Sequence, residues 1–235
     1  AYIPGEVCAS AVQNIGAYGV EVKDVIHRVY CYDTLEEEFV SFGVDECEYG
    51  YRDSVFKDLE VKGRYIVTHV VFALSREPRP CLEYGHLKSA VEAVAASDTL
   101  TPALVRKVII KTRKEKLPDP SVMGSAGSFF KNPVISLEHF HRIESAAKAE
   151  HGADYKVPHY DLPDGVKVPA AWMIEQCGWK GRRSGGAAVY EKQPLVIVNY
   201  TGEAYPEEII GLERRIIASV NDKFGVELHP EVEHI

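Results

Sequence analysis

The sequence lacks the patterns that are typical of a membrane anchor, a paired-cysteine motif or a metal site. It contains no run of roughly 18 apolar residues, the length that a membrane-spanning helix requires, and its start has no basic-then-apolar secretory pattern. The five cysteines include no C-x-x-C pair, and the nine histidines show neither H-x-x-x-H nor H-E-x-x-H spacing. A soluble, cytoplasmic protein without a bound metal is the expectation.

The charge balance is acidic, with 35 acidic residues, 27 basic residues and a formal net charge of -8. Proteins that bind the phosphate backbone of nucleic acids carry a surplus of Lys and Arg, so this class is disfavoured. An anionic small ligand would have to be met by a few local cations. At 235 residues, 46% of them hydrophobic, the chain can bury one large or two modest cores.

Hydrophobic periodicity predicts an α+β protein whose first half combines a sheet with a helical pair. Period-two alternation predicts strands in VEVKDVIHRVYCYD, EEEFVSF and RYIVTHVVFALS. From residue 85 to 112, apolar spacings of three and four predict two helices joined by a short polar turn, with Pro102 at the start of the second. The stretch KLPDPSVMGSAGSFFKNP is rich in Pro and Gly, which predicts a loop and a domain boundary.

The second half is predicted to be an αβ domain. Its predicted elements, in order, are a helix in ISLEHFHRIESAAKAEH, a loop in DYKVPHYDLPDGVKV, a helix in PAAWMIEQCG, a strand in AAVYEKQPLVIVNY, a helix in PEEIIGLERRIIASVNDKFG ended by Gly225, and a closing strand and tail in VELHPEVEHI. The predicted domains are therefore residues 1–117 and 118–235.

Two segments of the first domain have residues suited to ligand binding. In IPGEVCASAVQNIGAYGVE, Gly16 and Gly19 allow positive φ and close approach to a ligand, although isolated glycines most often mark a tight turn between strands. In YGYRDSVFK, Arg52 offers a rigid fork of donors for a carboxylate or an enolate. The alternative is a surface arginine paired with Asp53.

The second domain contains GSAGSFFKNP, in which Ser128 lies between a glycine and two phenylalanines. This pattern would hold a small hydroxyl at the edge of an apolar cluster, with Lys131 and Asn132 just beyond, although a loop pinned into the core by its phenylalanines has the same pattern. There is no G-x-S-x-G elbow for a hydrolase nucleophile. Lys116, Tyr160 and Lys167 are predicted to lie in loops where an anionic ligand could bind.

Taken in order, IPGEVCASAVQNIGAYGVE, YGYRDSVFK, KLPDP, GSFFKNP, AAWMIEQCGWKG and LHPEVEHI resemble the UDP-N-acetylenolpyruvoylglucosamine reductases from end to end. The resemblance implies a monomeric, cytoplasmic oxidoreductase of peptidoglycan synthesis, with no nucleic-acid or membrane partner. It implies that NADPH reduces bound FAD, and that the enolpyruvyl ether of a UDP-sugar substrate is then reduced to UDP-N-acetylmuramate. Residues 1–117 would be part of the FAD-binding region, and residues 118–235 would bind substrate.

The resemblance also assigns roles to individual residues. It implies that Ser128 gives a proton to the substrate carbon, while Arg52 and Glu231 stabilise the anionic intermediate. It further implies that Tyr84 is the mobile tyrosine of one of the two family types and folds over bound substrate. The implied FAD contacts are Gln13, Asn14, Gly16, Ala17, Tyr18 and Gly19. The implied substrate contacts are Tyr84, Lys116, Asn132, Tyr160, Lys167 and Gln193.

The match departs from the family pattern at the start of the chain. The family carries an N-terminal domain of roughly 80 to 100 residues that holds the flavin pyrophosphate. No counterpart of it is present here, and Cys8 stands where a glycine is usual. The expectation is that this chain alone binds FAD weakly or not at all. A non-catalytic UDP-sugar-binding module is the alternative, and a hydrolase or transferase using Ser128 as nucleophile is disfavoured because no histidine lies in the strings around it.

Overall fold

The computed structural model describes residues 1–3, 5–95 and 100–234, which form two compact units, 1–113 and 114–235. Both units mix helices with antiparallel strands, which confirms the α+β class. The sequence places its domain boundary after residue 117, whereas the compact units divide after residue 113. The predicted turn between the paired helices falls on residues 96–99, outside the described part. Residues 4 and 235 of the first and last motifs lie outside it too.

The first unit is built around a three-stranded antiparallel sheet with the strand order β4-β3-β5. A two-stranded hairpin, β1 with β2, precedes this sheet, and two helices follow it. The elements are α1 (Val7–Gln13), β1 (Gly16–Ala17), β2 (Val20–Glu21), β3 (Ile26–Asp33), β4 (Glu38–Gly43), β5 (Tyr65–Phe72), α2 (Leu87–Ala95) and α3 (Pro102–Lys116). The three predicted strands and the two predicted helices are confirmed, and Pro102 is the first residue of its helix.

The core of the first unit lies on one face of β3. Alternation buries Val29, Cys31 and Asp33, because successive side chains of a strand point to opposite faces. The two apolar side chains pack with Ala11 of α1 and with Phe56. Asp33 is only 2% exposed, and the Arg64 guanidinium neutralises it through Nε and Nη2, at 2.8 and 2.6 Å from the two carboxylate oxygens. That ion pair joins the last residue of β3 to the residue that precedes β5.

The second unit contains two antiparallel sheets and three helices. One sheet has the order β10-β11-β12-β6 and the other has the order β7-β9-β8. The elements are β6 (Ser125–Ser128), β7 (Val134–Ile135), α4 (Leu137–His151), β8 (Tyr160–Leu162), β9 (Gly165–Lys167), α5 (Ala170–Gln176), β10 (Arg183–Ser184), β11 (Ala187–Val189), β12 (Val196–Asn199) and α6 (Pro206–Phe224).

Local sequence signals explain how the long helices of this unit begin and end. The Ser136 side chain accepts a hydrogen bond from the His139 backbone N–H at 3.2 Å and caps α4. Gly225 adopts φ 65° and ends α6 at the left-handed position that favours glycine. Leu212, Ile216 and Val220 are fully buried along one stripe of α6, at the spacing of four that helical periodicity predicts. All three predicted helices are confirmed.

Several short elements differ from the prediction. The proline-rich boundary loop contains β6, and the predicted loop over residues 154–168 contains the β8–β9 hairpin. The hairpin turns at Pro163-Asp164-Gly165, which is a turn signal that the compositional interpretation as a loop overlooked. The single predicted strand over residues 187–200 is two strands, β11 and β12, paired with each other.

Both ends of the chain also correct the prediction. The first motif contains α1, a helix too short for its apolar spacing to stand out. The closing segment is held by an isolated bridge between Phe130 and Pro230 and forms no strand within the described residues. Pro230 has no N–H to donate, so a regular ladder cannot run through it. No helix in the described ranges has both the length and the apolar character that a bilayer crossing requires.

Candidate functional site

The end of α1 is tied to two other loops by the buried side chain of Asn14. Asn14 is 0% exposed and adopts a left-handed conformation with φ 45°. Its Nδ2 donates to the Gly50 carbonyl at 2.7 Å and to Glu21 Oε2 at 3.1 Å, while its Oδ1 accepts from the Lys23 N–H at 3.2 Å. One amide therefore fixes α1, the β1–β2 hairpin and the loop that leads to Arg52.

The β1–β2 hairpin turns through Tyr18 and Gly19, at φ 56° and 80°. The sequence predicts positive φ at Gly16 and Gly19. The prediction holds for Gly19 but is wrong for Gly16, whose φ is not positive. Gly16 is needed for close approach instead. A Cβ there would lie 2.8 Å from the Val20 carbonyl oxygen and 3.1 Å from Arg52 Nη1. The backbone of β2 therefore leaves no room for a side chain at this position, and the Arg52 guanidinium lies close to it.

Arg52 lies against this turn in a left-handed conformation of its own, with φ 55°. Its Nη2 donates to the Gly16 carbonyl at 2.5 Å, and Nη1 lies 3.5 Å from the Asn14 carbonyl. Lys57 Nζ donates to the Arg52 carbonyl at 3.0 Å and to Gln13 Oε1 at 2.8 Å. The structure thus brings the predicted catalytic guanidinium together with three of the predicted cofactor residues in the first unit.

Tyr84 lies just before α2 and contacts the same turn. Its ring meets the ring of Tyr18 edge-on, with centroids 6.2 Å apart and planes at 78°. A Cβ on Gly19 would lie 3.4 Å from Tyr84 Cβ. Tyr84 is 42% exposed, whereas burial raises the pKa of Tyr18. The tyrosine predicted to cover substrate therefore flanks the predicted cofactor turn.

In the second unit, Ser128 ends β6 with its side chain exposed, and Glu231 lies beside the residue that follows it. Ser128 pairs with Val196 of β12. The Phe129 carbonyl accepts a hydrogen bond from the Glu231 N–H at 2.7 Å, and the His229 carbonyl accepts one from the Lys131 N–H at 2.9 Å. The closing segment thus runs antiparallel to 129–131, and the backbone of Glu231 lies opposite Phe129, the residue after Ser128.

Three predicted substrate contacts gather around the β7-β9-β8 sheet. Tyr160 and Lys167 are cross-strand partners on β8 and β9, and Lys167 Nζ lies 5.4 Å from the centroid of the Tyr160 ring. Asn132 precedes β7, and its Oδ1 accepts from the Ala170 N–H at 2.9 Å at the start of α5. The predicted loop positions of Tyr160 and Lys167 are wrong, because both residues lie on paired strands. A strand holds its side chains more firmly than a loop does.

Gln193 and Lys116 occupy different surroundings. Gln193 lies in the β11–β12 turn, where its carbonyl accepts from the Val196 N–H at 3.0 Å, so it is close in sequence to the strand that pairs with Ser128. Lys116 is the last residue of α3 rather than a loop residue, and it is exposed.

Two residues beside the predicted sets were missed. Lys57 lies inside the string YGYRDSVFK but was given no role, although a second cation near Arg52 is a signal for an anionic ligand. Glu213 is 4% exposed in α6. Its spacing from Ile216 and Val220 places a carboxylate on the apolar stripe, which the sequence already shows. Among the described residues, no group of three or more His, Cys, Asp or Glu is arranged to hold a metal ion.

The fold defines a two-unit α+β protein. In the first unit, Arg52 packs against the β1–β2 turn, and in the second, a strand that ends at Ser128 leads to residues paired with the segment that carries Glu231. A family model for UDP-N-acetylenolpyruvoylglucosamine reductase, C-terminal domain, matches residues 119–235. Relatives named UDP-N-acetylenolpyruvoylglucosamine reductase from Bacteroides fragilis, Porphyromonas gingivalis and Neisseria gonorrhoeae are 49%, 44% and 46% identical, over 99%, 99% and 97% of this chain. The chain belongs to the UDP-N-acetylenolpyruvoylglucosamine reductase family.

The match covers almost all of this chain but only about two thirds of each relative. The chain spans 67%, 66% and 64% of the length of those three relatives. A crystal structure of UDP-N-acetylenolpyruvylglucosamine reductase from Thermus caldophilus is similar in fold, with a TM-score of 0.59 and 22% identity over 98% of this chain and 60% of that one. The solved structure supports the fold, and the closer relatives carry the family assignment.

Proposed function

We propose that this chain contributes the substrate-reducing machinery of a flavin- and NADPH-dependent enzyme that converts the enolpyruvyl ether of a UDP-sugar into a lactyl ether for peptidoglycan synthesis. The observation that carries the proposal is the pairing of the closing segment with residues 129–131, which brings Glu231 beside the residue after Ser128. The names of relatives up to 49% identical support the same reaction.

Ser128 is proposed to be the proton donor. Reduction adds a hydride to the terminal carbon of the enolpyruvyl group and leaves negative charge on the neighbouring carbon and its carboxylate. A proton from the Ser128 hydroxyl to that carbon completes the lactyl ether, and the serine oxygen regains its proton from water. Serine is a weak acid, so the step depends on donors that stabilise the charge while it exists.

Arg52 and Glu231 are proposed to supply that stabilisation. A guanidinium stays charged at any working pH and offers a planar fork to a carboxylate or an enediolate. The hydrogen bonds of Arg52 to the carbonyls of Gly16 and Asn14 orient the fork before substrate arrives. Such preorganisation is worth most in a catalytic site, because no reorganisation is needed as charge develops.

The β1–β2 turn is proposed to form one side of a flavin site. Ala17 and Gly19 are exposed and have small side chains, so a planar group can approach the backbone closely. Gln13, Asn14, Gly16 and Tyr18 would complete this side. When bound, FAD would supply the hydride to the substrate, after reduction by NADPH.

The remaining contacts are proposed to bind the UDP-sugar. Lys167 and Tyr160 offer a cation and an aromatic face on adjacent strands, which suit a diphosphate and a uracil ring. Lys116, Asn132 and Gln193 would add donors around them. Tyr84 is proposed to fold over the bound substrate.

The test separates reduction of the flavin from reduction of the substrate in the complete natural protein that contains this chain. In Ser128→Ala, flavin reduction by NADPH should proceed at the normal rate, because no proton is given to the substrate in that step. Transfer to the UDP-sugar should slow by about 10²-fold or more. Ser125→Ala, on the same strand and also exposed, is the matched control and should keep both rates.

The outcomes distinguish the alternatives. Binding of the UDP-sugar without flavin or NADPH oxidation would favour a non-catalytic binding module. Equal rates of substrate reduction in the Ser128 and Ser125 variants would remove Ser128 from the chemistry. If neither binding nor reduction of a UDP-sugar occurs, the proposal fails as a whole.

A further inference from the structure

Helix α6 carries a carboxylate on its core-facing stripe. Glu213 is 4% exposed and lies between Leu212 and Ile216, both of which are 0% exposed. Burying a carboxylate is costly unless a partner of opposite charge or a hydrogen bond compensates for it. Within the described residues, Glu213 Oε2 accepts no hydrogen bond of regular geometry. The burial of Glu213 is therefore unfavourable unless another group compensates for its charge.

The group that approaches this carboxylate comes from the closing segment, which follows α6. His234 Nε2 lies 3.0 Å from Glu213 Oε2, and the imidazole is 44% exposed. The contact is within ion-pair distance, and it becomes an ion pair when the imidazole is protonated. Coulomb attraction depends on distance rather than on alignment, so a protonated imidazole is attracted to this carboxylate all the same.

His234 lies three residues after Glu231 in the closing segment. The segment is held before this point by the buried side chains of Val226 and Leu228, and at Glu231 by the bond from its N–H to the Phe129 carbonyl at 2.7 Å. His234 provides an attachment on the other side. Residues 231–234 are therefore attached at one end by the backbone hydrogen bond of Glu231 and at the other by the contact between His234 and Glu213.

We propose that Glu213 and His234 form a latch that fixes the closing segment and thereby positions Glu231 beside Ser128. The inference rests on the proposed function for its catalytic consequence, but not for the latch itself. Glu213 and His234 are positioning residues, because they act through the backbone of the segment that carries Glu231. Loss of the latch should leave substrate binding intact and misplace Glu231, and small misplacements of catalytic groups cost up to about 10²-fold in rate.

The experiment measures the latch and its consequence separately in the complete natural protein. Hydrogen exchange at the Glu231 amide reports the segment directly, because that N–H donates to Phe129 in the folded chain. Exchange should speed up by about tenfold or more in His234→Ala and Glu213→Ala. Steady-state kinetics of the same variants should show kcat reduced by about tenfold or more with KM changed less than about twofold.

Three further variants separate positioning from general stability. Glu213→Gln keeps the length and volume of the side chain but removes its charge, so it should lose kcat and amide protection as Glu213→Ala does without leaving a cavity. Asp222→Ala removes an exposed carboxylate from the same helix, and His229→Ala removes an exposed imidazole from the same segment. Both controls should behave as the unsubstituted protein. Glu213→Ala removes a buried charge, so a loss of activity without a lower melting temperature supports positioning over folding.

The result of each measurement decides one question. Unchanged exchange at Glu231 in both alanine variants overturns the latch, whatever the enzyme activity. Faster exchange with unchanged kcat overturns the positioning role while leaving the latch. If the unsubstituted protein reduces no UDP-sugar, the proposed function fails, and the exchange measurement still decides the latch.

Discussion

Gly16→Ala tests whether the tight packing between the β1–β2 turn and Arg52 is needed. A methyl group at this position would lie 2.8 Å from the Val20 carbonyl oxygen, where ordinary contact begins at 3.4 Å, so the backbone must give by about 0.6 Å. The atom to be moved is part of the backbone of β2, which cannot rotate away as a flexible side chain would. Overpacking of this kind costs roughly 1–3 kcal/mol of unfolding free energy.

The substitution should also displace the guanidinium. The added Cβ would lie 3.1 Å from Arg52 Nη1, and the neighbouring Nη2 donates to the Gly16 carbonyl. We therefore expect a lower unfolding free energy for the first unit and faster amide exchange in its β1–β2 hairpin. Both are measured by urea denaturation with circular dichroism and by hydrogen exchange resolved to peptides.

A matched variant separates this effect from glycine substitution in general. Gly50→Ala places a Cβ in the same cluster, but its nearest neighbour is Asp53 Cβ at 3.4 Å, an ordinary contact. Gly50→Ala should change the unfolding free energy by less than about 0.5 kcal/mol. If Gly16→Ala proves equally harmless, with unaltered exchange in the hairpin, the argument from close packing is wrong.

Three further predictions follow from buried groups. Phe130 is 1% exposed, so Phe130→Ala should lower the unfolding free energy of the second unit by about 3–5 kcal/mol. The fluorescence of the two tryptophans, both in that unit, measures this change. A loss below about 1 kcal/mol would contradict the place of Phe130 in the core. Hydrogen bonds from Arg64 lower the pKa of Asp33 to about 2, so this carboxylate stabilises the fold above about pH 4 and the stabilisation disappears as pH falls towards 2. Acid titrations of Asp33→Asn should be flatter in that window than those of the unsubstituted chain, and identical profiles would refute the assignment. Burial raises the pKa of Cys31 to about 12, so an alkylating reagent at neutral pH should modify exposed Cys81 first and spare Cys31 in the folded chain, as mass spectrometry of peptides can show.

Short sequence motifs predicted more of the candidate site residues than the predicted helices and strands did. The strings around Gly16, Arg52 and Ser128 carry the family resemblance by themselves. The structure then placed Gln13, Asn14, Gly16 and Arg52 in one cluster of the first unit. Local strings suffice here because each holds several interacting residues within a few positions. The roles proposed for them stay predictions.

The long, periodic elements were also within reach of the sequence. The stop of α6 at Gly225 was predicted and is confirmed, and the cap at Ser136 and the apolar stripe of α6 are local signals of the same kind. Short strands were missed, because two to four residues in a Pro- and Gly-rich stretch carry too little periodicity to be separated from a loop. Pairing with a distant strand decides such cases, as it does for β6 with β12.

The sequence alone determined the α+β class, the main helices, the family resemblance and the candidate residues, because these depend on patterns that lie within short stretches. Only the tertiary structure decided which distant groups meet. The closing segment lies beside Ser128 because of backbone bonds between residues about 100 positions apart, and His234 meets Glu213 through the path of the chain around α6. Contacts of this kind are set by packing over the whole unit, and no local pattern encodes them.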